Sequence, residues 1–139
     1  MRVCLDTNVL LQLFGSDTPL TPIRAKLLAG RLELALSTEI LLEYEEIITQ
    51  LSGQTRWQQV ASLFEVLGRL HGTIVRVEPT FRFHVITVDP DDNKFVDCAI
   101  VAEADFVVTA DRHFSTLIGA GYRPQPIHPD EFVNHLHGR

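Results

Sequence analysis

Short apolar runs alternate with longer amphipathic stretches along this chain, and the alternation predicts strands followed by helices. Residues 2–6 contain Val3, Cys4 and Leu5, a run suited to a short buried strand. Val9, Leu10, Leu13 and Phe14 then recur at helical spacing over 8–14. Pro19 and Pro22 introduce a second helix over about 20–30, which Gly30 ends. Residues 32–36 form the next strand candidate. Ser37 or Thr38 caps a helix running to about Leu51, where Ser52 and Gly53 break it. A further helix covers 55–70 with Val60, Leu63, Phe64, Leu67 and Leu70 in phase, and Gly72 stops it. A strand follows at 73–77. Residues 78–91 fit either a short helix or an extended passage. The 92–104 segment is apolar nearly all round, which predicts a helix buried between layers. Residues 106–108 read as a strand, 112–117 as a short helix and 125–127 as a brief fifth strand. Pro129, Asp130 and Glu131 open a terminal helix. Such alternation implies an α/β fold whose parallel sheet is covered on both faces.

Composition narrows the class. At 139 residues the chain fits a single domain over 1–139, and 45% apolar content is that of a globular protein. The first residues lack a signal-peptide apolar region, and no stretch approaches the roughly 18 apolar residues of a membrane span. Cys4 and Cys98 fall in elements expected to be buried, so reduced core thiols and a cytoplasmic location are expected, with no membrane partner. The net charge of −6 lacks the basic footprint of most nucleic-acid binders. Bound divalent cations would reverse the local field, so the charge does not exclude a polyanionic substrate.

Four acids stand at the ends of these elements. Asp6 follows the first strand, Glu43 lies on the helix after Ser37, Asp92 opens the 92–104 helix and Asp111 follows Phe106, Val107 and Val108. Open α/β folds bind ligands beyond strand carboxyl ends and at helix starts. Carboxylates converging there with no adjacent lysine or arginine repel one another unless a divalent cation neutralises them, which points to a metal-dependent enzyme. At about 100° per residue, Ile40, Tyr44, Ile47, Ile48 and Leu51 form one stripe with Glu43 beside it, whereas Glu45 and Glu46 turn to solvent. The same construction puts Asp92 on the side of Val96 and Ala99 and turns Asp97 outward, near Lys94. Each acid taken singly also has a plainer reading. Asp6, Asp92 and Asp111 are placed to cap helices, worth roughly 0.3 to 2 kcal/mol, and Glu43 could be a solvated helix acid. Thr7, Asn8 and Thr109 beside them could orient carboxylates or make local turn bonds.

Together these segments resemble a known family. Asp6, Thr7 and Asn8 after an N-terminal strand; Ser37 with Glu43 six residues on; Asp89 through Phe95 leading into a helix with Ala99; and Thr109, Ala110 and Asp111 after a strand are similar to the PIN domain. The likeness spans essentially the whole chain and is nearest to the VapC-like toxin nucleases of bacterial toxin and antitoxin pairs. The resemblance implies a three-layer α/β/α sandwich on a mainly parallel sheet of about five strands. It also implies a ribonuclease using one or two Mg²⁺ or Mn²⁺ ions, often dimeric, and an antitoxin that occupies or distorts the site. Its acidic positions map onto Asp6, Glu43, Asp92 and Asp111, the expected catalytic and metal-binding set.

The expected chemistry is hydrolysis of RNA phosphodiester bonds. Asp6 and Asp92 would be the main ligands, with Asp111 completing the set and Glu43 binding a second ion or orienting water. Asn8 and Thr109 are expected to support the acids, and Lys94 and Arg112 to contact phosphate. His135 and His137 sit on different helix faces and read as surface histidines. Trp57 and the stripe Val60, Leu63, Phe64 and Leu67 read as core, with a partner or dimer surface as the alternative. The competing function is a non-catalytic RNA-binding or protein-interaction module on the same fold.

Overall fold

The computed structural model describes residues 1–16 and 18–138. Five short strands, β1 (Arg2–Leu5), β2 (Glu33–Leu36), β3 (Ile74–Arg76), β4 (Phe106–Val108) and β5 (Gln125–Ile127), form one sheet in the order β3-β2-β1-β4-β5. Every pairing is parallel, so the sheet is wholly parallel where a mainly parallel one was expected. Val3, Cys4 and Leu5 are fully buried, as are Leu34, Ala35, Val107 and Val108, because helices cover both faces. The result is an α/β sandwich.

The helices are α1 (Thr7–Leu13), α2 (Thr21–Leu28), α3 (Thr38–Ser52), α4 (Gln54–His71), α5 (Asn93–Val101) and α6 (Pro129–His137). Ser37 starts α3 by accepting a hydrogen bond from the Ile40 N–H, and Gly72 ends α4 in the left-handed conformation, φ 65°. Gly30 also has φ 72°, and a Cβ there would lie 2.4 Å from the His71 ring, so neither its backbone nor its neighbour admits a side chain. α5 packs across β1, β2 and β4, and α3 touches α1, α4 and α5. The Tyr44 hydroxyl of α3 donates to the Leu5 carbonyl, tying that helix to β1 from inside the core.

Several expectations need correction. The 92–104 helix is shorter: a 3-10 turn at Pro90–Asp92 precedes α5, which ends at Val101, and Glu103 adopts φ 55°. Asp97 does not face outward; it is 5% exposed and accepts from the Phe83 N–H at 3.2 Å. Asn93, also buried, accepts from the Ile86 N–H and donates to the Ile86 carbonyl, both at 2.8 Å. These two side chains fasten residues 83–86, which are neither helix nor strand, onto α5. Leu51 leaves the α3 stripe to stand 69% exposed. His135 is half-buried and stacked on Phe132, while His137 is exposed. On α4, Val60, Phe64 and Leu67 are core, whereas Trp57 and Leu63 are only half-buried. No helix among the described residues is long and apolar enough to cross a membrane.

Candidate active site

The chain leaves β1 towards β2 on one side, while β4 leads to β5 on the other. The carboxyl ends of these adjacent strands therefore flank a topological switch point, where the diverging connections open a crevice. Asp6 ends β1 there. Its Oδ1 accepts from the Thr7 N–H at 2.8 Å, capping α1, and its Oδ2 accepts from the Thr109 hydroxyl at 2.8 Å. Thr109, directly after β4, accepts in turn from the Asp111 N–H at 3.0 Å, and Asp111 Oδ1 accepts from the His113 N–H at 2.9 Å. One network thus fixes two strand ends and two carboxylates. The capping roles of Asp6 and Asp111 are real, and each coexists with a place in the crevice.

Asp92 behaves differently. Although it precedes α5, its side chain makes no capping hydrogen bond. The cap at this bend is Asp89, whose Oδ1 accepts from the Asp91 N–H at 3.2 Å. Residues three apart eclipse in a 3-10 turn, so Asp89 and Asp92 project from one side. His113 completes the group: its Nδ1 lies 3.5 Å from Asp111 Oδ1 and 3.9 Å from Asp92 Oδ2. Asp89, Asp92 and His113 each offer one ligand atom, all within 4.8 Å of one another.

The electrostatics are unfavourable for the protein alone. Burial, then the charges of Asp89, Asp111 and Asp6, push the Asp92 carboxyl up to about 7. Burial also raises Asp6, against the opposing hydrogen bonds from Thr109 and Thr7. Asp92 Oδ2 and His113 Nδ1 are shielded from solvent and have no hydrogen-bond partner among the described residues. Two such atoms facing each other among carboxylates suit a shared divalent cation bound through oxygen and nitrogen. The residues present therefore fit a metal ion.

Glu43 points towards the same crevice but has partners of its own. It accepts from the Thr7 hydroxyl through Oε2 and from Lys94 Nζ through Oε1, at 2.7 Å. Burial lowers the Lys94 pKa, and the Glu43 hydrogen bond and charge outweigh it, so on balance the ammonium is held more firmly. The acids thus do have an adjacent lysine, contrary to expectation, and Lys94 spends its charge on Glu43. Glu45 and Glu46 are exposed. Asn8 and Arg112 are also exposed and make no side-chain hydrogen bond among the described residues. Sequence reasoning missed Asp89 and His113 as neighbours of the acids, whereas Thr7 and Thr109 were placed beside them and do bond Asp6. The available signals were the three-residue spacing of Asp89 and Asp92 around Pro90, and His113 two residues beyond Asp111.

The family model of the PIN domain matches residues 2–113, a span holding every acid of the crevice and ending at His113. No curated protein matches the chain. PIN domains are generally nucleases and typically bind divalent metals. With the family model covering residues 2–113, the greater part of its length, this chain belongs to the PIN domain family.

Proposed function

We propose that the protein is a Mg²⁺- or Mn²⁺-dependent ribonuclease, the toxin of a toxin and antitoxin pair, acting in the cytoplasm as a homodimer. The observation that carries the metal-dependent reading is the pair of unpartnered atoms, Asp92 Oδ2 and His113 Nδ1, enclosed by Asp6, Asp89 and Asp111. Asp92 Oδ2 and His113 Nδ1 would hold the ion together with Asp6 and Asp111, with Asp89 beside them. When bound, the ion supplies Lewis-acid polarisation of the phosphoryl group and acidifies a water nucleophile.

The remaining work falls to the chain's own side chains. Thr7 and Thr109 clamp one oxygen each of Asp6, fixing the plane of its carboxylate. Glu43 already has a cation at Oε1, which favours a role in orienting water over one as an ion ligand. Arg112, exposed beside Asp111, is free to meet phosphate. A water nucleophile leaves no role for the RNA 2′-hydroxyl, so products carry a 5′-phosphate and a 3′-hydroxyl.

The test compares wild type with Asp6→Asn on assorted RNAs, in Mn²⁺ and in EDTA, with equal folding verified. Cleavage by the wild type in Mn²⁺ alone is expected. Equal activity in the variant, or 2′,3′-cyclic phosphate ends, overturns the assignment. The toxin role predicts a small protein encoded next to this one that copurifies with it and suppresses cleavage.

A further inference from the structure

We propose that the crevice continues past the acids into a pocket for a guanine base of single-stranded RNA, an inference that rests on the ribonuclease reading above. The pocket opens over the carboxyl ends of β2 and β3, along the edge of the sheet that carries the acids over β1 and β4. Its cavity of about 200 Å³ is lined by Glu39, Glu78, Phe81, Arg82, Lys94 and Asp97, among others. Lys94 is the shared wall. Its ammonium meets Glu43, Glu43 takes the Thr7 hydroxyl, and the Thr7 N–H binds Asp6.

The lining selects the occupant. A phosphate would face Glu39, Glu78 and Asp97, and both cations are already matched, Lys94 to Glu43 and Arg82 to Glu39 at 3.3 Å. A neutral ring rich in donors fits instead. Guanine presents N1–H and the N2 amino group side by side, a match for one carboxylate, while its O6 and N7 suit a guanidinium. Asp97 is the carboxylate: it is 5% exposed, its Oδ1 takes the Phe83 N–H, and no protein donor meets Oδ2 among the described residues. Arg82 is the guanidinium, and its exposed pairing with Glu39 is weak enough to be exchanged.

Phe81 supplies the stacking face. It stands 64% exposed at the rim, edge-on to Phe83 at 4.9 Å, and Phe83 is edge-on to Tyr122 at 5.3 Å. Bases of single-stranded RNA stack on such rings, whereas bases within a duplex cannot reach them. Asn93 and Asp97 anchor the segment that follows, so the platform is built before the base arrives.

The test measures binding of the whole protein to labelled single-stranded oligoribonucleotides in EDTA, where cleavage is absent. An oligonucleotide with guanosine is expected to bind roughly tenfold more tightly than its inosine counterpart, which lacks the amino group offered to Asp97. Phe81→Ala, at an exposed position that leaves the core intact, should weaken guanosine binding roughly tenfold. Asp97→Asn should erase the difference between guanosine and inosine. Equal binding of the two oligonucleotides by the wild type, a comparison that needs no variant, overturns the proposal, as does undiminished binding by Phe81→Ala. Guanine-selective binding without cleavage would leave the pocket standing and remove the ribonuclease reading. Metal-dependent cleavage indifferent to guanine and to Phe81 would do the reverse.

Discussion

Asp92→Asn should stabilise the metal-free protein above neutral pH and leave it unchanged in acid. The folded state raises this carboxyl from its ordinary 3.8 to about 7, so folding favours the protonated form. Below about pH 3 the group is neutral in both states and costs nothing. Between 4 and 7 the unfolded chain releases the proton first, and stability falls as pH rises; above 7 the loss is complete. At ~1.4 kcal/mol per pH unit the ceiling is about 4 kcal/mol. Asp92 lies at the mouth of a crevice with its side chain 17% exposed, and solvent and counter-ions reduce the effect to roughly 1–2 kcal/mol. Asparagine keeps the shape and removes the charge. Urea unfolding in EDTA at pH 8 should therefore show a midpoint higher by roughly 0.5–1 M in the variant, with the curves converging near pH 3. Adding Mn²⁺ at pH 8 should reverse the order, because only the wild type gains a fully charged ligand. A variant no more stable than wild type at pH 8, or a difference independent of pH, would refute the view that Asp92 is held against repulsion.

Other expectations follow from the same geometry. Lys94→Met leaves Glu43 half-buried without its counter-charge and should destabilise the metal-free protein by roughly 1–3 kcal/mol; adding Glu43→Gln should recover most of the loss in a double-mutant cycle read by urea unfolding. Tyr44→Phe strands the buried Leu5 carbonyl and should cost about 1–2 kcal/mol, measured the same way. Mn²⁺ at 100 times its dissociation constant should stabilise the wild type by about 2.7 kcal/mol in thermal unfolding and Asp6→Asn by much less. Asn93→Ala removes both bonds to Ile86 and should speed amide exchange across 83–86 more than in β1 or β4.

The sheet was legible because its strands are short, mainly apolar and punctuated by caps and glycines that act locally. Ser37, Gly72 and Pro129 do at their helix ends what their chemistry predicts. The strands at 106–108 and 125–127 appear with those bounds. What stayed hidden was pairing between distant segments. Glu43 and Lys94 meet across 51 positions, so the lysine's neighbour in space could not be found by spacing. Asp97 was turned outward on a wheel drawn without the 83–86 segment, which lies over that face and supplies the Phe83 N–H. Leu51 fits the α3 stripe in phase, yet it stands near the helix end and finds nothing there to cover it. Asp89 and His113 were individually unremarkable, and only the 3-10 turns at Pro90–Asp92 and Arg112–Leu117 bring them together.

The hydroxyl of Thr109 on Asp6 spans 103 positions of the chain. During synthesis Asp6 waits without the Thr109 hydroxyl, Asp111 or His113 until the chain has been made past position 113. A nascent or prematurely ended chain thus carries acids but no assembled centre. Assembly of the crevice depends on the sheet being built across β1 and β4, and not on any one segment.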